Sequence, residues 1–340
     1  MVATFARPLP SPGFYSPSPG FPTPASATIL LPDDPRGTVS DYAAISERSE
    51  RRLRFIRPIP DANGYQHCSP GARYRLRTDA TQITFQTAYN NLVGRYDSAR
   101  NYVAIVLVNG IVTATFNSYD GTYVLNLVGA TSRLIELVWP YADGMDLIGI
   151  VVNAGATFGT PASRPSGVLA TCGDSITHGF SASKTTDSWA YTLAALKNRR
   201  MLNLGNGGAQ AVAADGNALA GTGADRVTYL IGYNNFVAQT PLATFQAAVE
   251  GWINNGETAL PSAKIYIISP IYSPNTNTIT LAQYRTAVAA AVTAAGGANV
   301  TYVNGLSIMT NNVDRLVDNI HPNNLGAGEI ASNLAALMAA

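Results

Sequence analysis

The run Gly173-Asp174-Ser175 closes a stretch of small and apolar side chains that starts at Val168, and Ile176-Thr177-His178-Gly179 then turns the chain. A serine at such a strand end stands clear of the sheet with backbone N–H groups of the turn nearby. A nucleophile needs that placement if it is to attack a carbonyl and have the resulting oxyanion held. A serine hydroxyl also needs a base to take its proton, and the imidazoles of this chain are His67, His178 and His321. His321 is the best placed. In Asp318-Asn319-Ile320-His321-Pro322 the three-residue spacing lets the Asp318 carboxylate reach Nδ1 of the same turn, and Pro322 disfavours helical backbone at His321, which keeps the ring on a loop. Ser175, His321 and Asp318 are therefore the candidates for nucleophile, base and orienter in acyl transfer. Taken singly, Gly-Asp-Ser is a common turn tripeptide and an Asp-His pair is an ordinary surface feature; their company in one half of the chain carries the expectation. His178 reads as a flank of the nucleophile turn, and His67 falls in the other half.

The elements that must position these residues follow from periodicity. After Gly167 the sequence alternates strand and helix: VLATCGDS, RVTYLIGYNN and KIYIISPIY read as buried strands running into loops. WAYTLAALKNR, LATFQAAVEGWI, AQYRTAVAAAVTAA and the closing ASNLAALMAA read as helices. That grammar predicts a doubly wound α/β domain over residues 161–340, with its site beyond the carboxyl ends of the parallel strands, where Ser175 falls. Within residues 61–160 the chain instead repeats with period two from about residue 70, as in ARYRLRTDATQITFQ, and Asn109-Gly110 between two β-rich runs predicts a hairpin with a type I′ turn. TYVLNLVG, SRLIELVWP and MDLIGIVVNAG continue the series, so this part is expected to be an antiparallel, jelly-roll-like β-sandwich, joined to the α/β domain through GTPASRPSG (159–167). Residues 1–60 are expected to be a proline-rich extended segment, since nine of the chain's 20 prolines lie in the first 35 residues. The arginine cluster Arg48, Arg51, Arg52, Arg54 and Arg57, interleaved with Glu47 and Glu50, reads as a solvated or inter-domain face; an anion or polysaccharide contact is the alternative.

Composition narrows the partners. A formal net charge of +1 and only 13% charged residues provide no field to attract nucleic acid or an anionic membrane, so the expected partner is a small or neutral molecule. No apolar run approaches the roughly 18 residues that span a bilayer. The early prolines deny the N-terminus the apolar core of a signal peptide, yet the polar, low-charge balance suits an extracellular or periplasmic protein. Cys68 and Cys172 lie in different halves and are expected to be two buried thiols, a bridge between them being the alternative. No Gly-x-Ser-x-Gly, P-loop or dinucleotide glycine fingerprint occurs, nor a His-x-x-x-His pair, so no nucleotide, other cofactor or metal is expected.

Across about 170 residues the chain resembles the SGNH (GDSL-type) hydrolase superfamily, whose sequence blocks recur in order as GDSIT, NLGNGG (203–208), GYNN (232–235) and DNIHP. The resemblance implies a serine esterase of flavodoxin-like fold, with Ser175 as nucleophile, Asp318 and His321 completing the triad, and an oxyanion hole from Ser175 N–H, Gly208 N–H and the Asn234 side chain. It departs from the family at Asn235, where an aspartate is usual, which puts the support of that loop in question more than the chemistry. The sandwich followed by this domain also looks like the layout of certain two-domain carbohydrate esterases, implying an O-acetylated carbohydrate as substrate. An aryl or short-chain lipid esterase or thioesterase with the same triad stays open, as does a non-catalytic carbohydrate-binding or structural module. Tyr233 and Tyr272 follow strand ends and are candidates to stack on sugar faces; ordinary packing is the other account of each.

Overall fold

In the computed structural model, residues 27–42, 44–57, 68–89, 103–117, 121–141 and 144–338 are described. Two antiparallel sheets form first. One comprises β1 (Thr28–Leu30), β3 (Ala44–Arg48), β4 (Leu53–Ile56), β6 (Gln82–Tyr89), β9 (Thr122–Asn126) and β11 (Met145–Val152), ordered β3-β4-β11-β6-β9 with β1 also on β11. The other comprises β2 (Thr38–Ser40), β5 (Arg73–Thr78), β7 (Val103–Val108), β8 (Ile111–Asn117), β10 (Arg133–Val138) and β12 (Phe158–Gly159), ordered β12-β5-β10-β7-β8 with β2 on β5. Leu53, Phe55, Tyr74, Leu76, Phe85 and Trp139 fill the space between the sheets. Asn109 and Gly110 turn β7 into β8 with φ of 51° and 83°, the positive pair that a type I′ hairpin demands.

Four strands lie between residues 28 and 56, within the stretch read from its prolines as extended. The prolines crowd before Thr28, whereas Leu30, Leu53 and Phe55 follow them and offer apolar side chains that the sheet buries. A boundary at 60 would separate β1, β2 and β4 from β11 and β5, the later strands with which they pair.

The C-terminal part is a five-stranded, wholly parallel sheet ordered β14-β13-β15-β16-β17, from β13 (Val168–Gly173), β14 (Arg200–Gly205), β15 (Arg226–Leu230), β16 (Lys264–Ile268) and β17 (Val300–Val303). Helices α1 (Ser175–His178), α2 (Trp189–Leu196), α3 (Tyr233–Ala238), α4 (Leu242–Ala259), α5 (Leu281–Ala295) and α6 (Asn324–Leu337) connect or flank these strands. Apolar cores lie on both faces, one around Trp252 and Phe245, the other around Trp189 and Ile330. The strand order reverses beside β13, so Ser175 emerges at the switch point where such sheets open a crevice. No helix among the described residues is long and apolar enough to cross a membrane. Cys68 and Cys172 are buried and form no disulfide.

Along β5 and β10 the outward face of the second sheet is not a solvent face, whereas β8 is exposed along most of its length. β5 is buried along almost its whole length because Tyr74 and Leu76 point into the sandwich while Arg73 and Arg75 point the other way. Arg73 donates to Tyr191 of α2 at 2.7 Å and to Glu136 of β10 at 3.2 Å. Asp41, almost wholly buried at φ 60°, ties the two halves: it faces Arg73 Nε at 3.1 Å, accepts from Ser40 at 2.8 Å and from the Met201 N–H at 3.1 Å. The arginine cluster is divided, with Arg48 and Arg51 exposed and the others partly or wholly buried. Arg54 grips Asp146 at 2.9 and 2.6 Å, Arg48 donates to the carbonyls of Pro32 and Gly37, and Arg57 is buried.

Candidate active site

Each element around Ser175 is held by a specific local requirement. Gly173 adopts φ 146°, and a Cβ there would meet the Leu230 carbonyl oxygen at 2.2 Å, so only glycine lets β13 run so close to β15 before the turn. Asp174 caps α1, its Oδ1 accepting the Ile176 N–H at 2.9 Å. Ser175 opens the helix, so its own N–H is among the first-turn donors that no intrahelical carbonyl takes. Trp189 Nε1 donates to the Ile176 carbonyl at 2.9 Å and Asn203 Nδ2 to that of Thr177 at 3.0 Å, which clamps the turn from both sides. Gly205 lets β14 pass under it, since a Cβ there would sit 2.3 Å from the His178 nitrogen.

On this platform a continuous hydrogen-bonded chain is assembled. His321 Nδ1 lies 2.8 Å from Asp318 Oδ2, and His321 Nε2 lies 2.8 Å from Ser175 Oγ. The loop that carries the imidazole is pinned: Asn319 sits at φ 66° with its carbonyl accepting from Ser273, the Val317 N–H donates to the His321 carbonyl, and Asn323 caps α6 directly after Pro322. Burial favours neutral Asp318, but the His321 backbone N–H, its ring and the Ile320 N–H outweigh burial and hold the carboxyl below its ordinary 3.8. An ionised Asp318 can only accept, so Nδ1 carries the imidazole proton and Nε2 presents its lone pair to the serine hydroxyl. That is the geometry of a general base hydrogen-bonded to its nucleophile.

The remaining candidates fall into two groups. Gly208 lies in a turn at φ 79° with open space where a side chain would stand, and Asn234 Nδ2 donates to the carbonyl of its neighbour Ala209 at 3.0 Å, leaving the second amide hydrogen available. Asn235, where the family pattern has aspartate, accepts the Ala211 N–H at 3.0 Å through Oδ1 and reaches Gln210 and Thr240 through its amide nitrogen. The loop is thus braced by an amide where a carboxylate would otherwise serve. Tyr233 and Tyr272 are set differently. The Tyr233 ring is buried against Phe236 and its hydroxyl accepts from Asn275 at 2.7 Å, while Tyr272 is half-buried against the core around Ile268. His178 is buried; burial first and the Arg57 charge second push its pKa well below 6.5, while a hydrogen bond to the Tyr141 backbone opposes them. His67 lies outside the described residues. One residue had no signal in the sequence: Phe180, whose ring centroid is 4.4 Å from that of His321 at an interplanar angle of 59°, covering the base. An aromatic five residues after a serine follows no spacing rule.

Residues 171–328 match the model of the GDSL-like lipase/acylhydrolase family. The match lies within the parallel-sheet domain and takes in Ser175, Asp318 and His321. No curated protein matches the sequence. Among solved structures, the chain is similar over both of its parts to the salicylyl-acyltransferase SsfX3 from a tetracycline biosynthetic pathway, with a TM-score of 0.78 at 22% identity, covering 93% of this chain and 98% of that one. A putative GDSL-like lipase from Bacteroides ovatus superposes with a TM-score of 0.73 at 16% identity, over 91% and 96% of the two chains. A family two carbohydrate esterase from Cellvibrio japonicus does so with a TM-score of 0.69 at 13% identity, over 92% and 97%. These likenesses establish the two-part fold, and the family match places an acylhydrolase scaffold around Ser175.

The capping carboxyl of the GDSL-type domain has a measurable signature. Asp174 is buried, and its Oδ2 has no hydrogen-bond partner among the described residues. Burial pushes its pKa from 3.8 up to about 7, against the pull of the Ile176 N–H. The native state therefore keeps a proton that the unfolded chain releases above its lower pKa, so this group subtracts stability progressively as pH rises from about 4 to about 7. Asp174→Asn cannot titrate there and retains a capping oxygen. Its stability relative to the parent protein is expected to climb by up to about 4 kcal/mol across that window and then level off, read from urea unfolding at a series of pH values. His178 titrates in both proteins and cancels in the difference. A difference that stays flat with pH would mean that Asp174 is ionised throughout.

Proposed function

We propose that the protein is a serine esterase that hydrolyses short-chain acyl esters, acetyl esters in particular, and that the acetyl group is carried on carbohydrate. The observation that carries this reading is the chain of 2.8 Å contacts from Asp318 through His321 to Ser175. Ser175 Oγ attacks the ester carbonyl carbon while His321 Nε2 takes its proton, and the carbonyl oxygen becomes an oxyanion resting on the Ser175 N–H, the Gly208 N–H and the free hydrogen of the Asn234 amide. Collapse breaks the bond to the leaving alkoxide, which receives the proton from His321 and departs as an alcohol. Water then repeats the sequence on the acyl-enzyme, its proton passing to His321 and on to Ser175, and the carboxylic acid leaves. Asp318 stays ionised throughout and stabilises the imidazolium that forms in each half-reaction.

Gly207 and Gly208 directly follow Asn206, whose N–H donates to the Gly173 carbonyl at the base of the nucleophile turn, and small residues there suit a small acyl group. The carbohydrate assignment draws on the two-part layout shared with structures named as carbohydrate esterases, and it suits a protein acting in the periplasm or outside the cell, where acetylated polysaccharide lies. The test is a chain-length series: kcat/KM for p-nitrophenyl acetate, butyrate and octanoate, with acetate release from acetylated xylan and other acetylated glycans measured beside it. Acetate is expected to be preferred and to be released from at least one glycan. A preference for octanoate, or no acetate from any glycan, would move the protein to the lipid-esterase class.

A further inference from the structure

One cavity is remote from Ser175. It encloses about 220 Å³ between the outward face of the second sandwich sheet and α2, and its walls include Asn198, Arg199 and Met201, at the amino end of β14. Ser175 stands beyond the carboxyl end of β13, so the parallel sheet separates the two places. The polar wall is built from Arg73, Glu136 and Tyr191, with Arg164 contributed by the segment that links the two halves of the chain.

The charges on this wall do not cancel. Arg73 pairs with Asp41 at 3.1 Å and Glu136 at 3.2 Å, Arg75 pairs with Glu136 at 3.1 Å, and Arg164 pairs with Asp41 at 3.1 Å. Three guanidinium groups thus share two carboxylates, while Arg199 is held separately by Asp225 through contacts of 2.7 to 3.2 Å. Arg164 is incompletely used, with one carboxylate partner against the two of Arg73. Its Nη2 donates to Asp41, but its Nε is buried and has no acceptor among the described residues. The Arg164 guanidinium thus keeps N–H donors that Asp41 does not take, and an anion in the cavity would be attracted to that incompletely paired charge. An arginine edge matches the two oxygens of a carboxylate. The volume is below the roughly 300–1,000 Å³ of pockets for drug-sized ligands, so the occupant is small. Glu136 and Tyr191 add oxygen atoms to the same wall.

We infer that this inter-domain cavity binds a small monocarboxylate, with Arg164 as its anchoring donor. The chemistry is shared by a sugar acid and by a free short-chain acid, so glucuronate and acetate serve as separate probes and glucose as the uncharged control. Isothermal titration calorimetry and thermal unfolding on the full chain are expected to show saturable binding and a raised Tm with at least one carboxylate and neither with glucose. Binding by glucuronate alone assigns a sugar acid, and by acetate as well a short-chain acid. Arg164→Gln, checked for an intact fold by circular dichroism, is expected to weaken that binding about 10- to 100-fold, the range for a hydrogen bond to a charged group. Ala195→Phe, at an exposed position on the cavity wall, is expected to abolish it by filling the space, and this separates the cavity from carboxylate bound beside Ser175. Equal binding of glucose, no binding of either carboxylate at 50 mM, or carboxylate affinity unchanged in both variants would overturn the inference.

Discussion

Ser175→Ala is expected to lower kcat for p-nitrophenyl acetate by about 10⁶, close to the effect of removing a whole triad, because the members of such a unit do not act independently. That factor corresponds to roughly 8 kcal/mol of transition-state stabilisation. No neighbour can take over. The Cys172 thiol is buried and its pKa is pushed far above the ordinary range by that burial, and the Thr177 hydroxyl is buried and donates to the Cys172 carbonyl. Ser175 is only partly buried and its Oγ makes the contact to His321 at the surface of the turn, so the variant should fold with unchanged circular dichroism. A folded variant that retained most of its activity would require a different nucleophile and would remove the whole site assignment.

Asp318→Asn is expected to lower kcat by about 10⁴, through the tautomer of His321. The carboxylate takes the Nδ1 proton on Oδ2 and the backbone N–H groups of Ile320 and His321 on Oδ1. An asparagine keeps its carbonyl on the two backbone donors and turns its amide nitrogen toward the ring. Nδ1 must then accept, the ring proton moves to Nε2, and Nε2 can no longer take the proton of Ser175. The backbone anchors survive, so thermal unfolding should shift little while kcat falls and KM stays close to that of the parent protein. A rate within twofold of the parent would take Asp318 out of the relay and leave a Ser175–His321 dyad.

What the amino-acid sequence determined by itself lies in features that neighbours along the chain control. The period-two stretches, the switch to strand and helix after Gly167, the Asn109-Gly110 turn and the Asp318-to-His321 spacing are local, because alternation, positive φ and a three-residue reach depend on a few consecutive residues. β14 and β17 are not marked out as strands by periodicity; they are the edges of the sheet, and what makes RMLNLG and VTYV strands is pairing with a single neighbour, β13 for the one and β16 for the other. Strands β1 to β4 were hidden for the same reason, their pairing partners being up to about 120 residues away. Only the tertiary structure decided which face of β5 is dry, since Arg73 and Arg75 look like solvent positions until Glu136, Asp41 and Tyr191 close over them. It decided as well that Tyr233 packs inward and that Phe180 covers His321. It brought His321 to Ser175 across 146 residues of chain, a contact that no local preference encodes. It exists because both residues stand on turns at the same edge of one parallel sheet, each turn clamped by hydrogen bonds to segments distant in sequence.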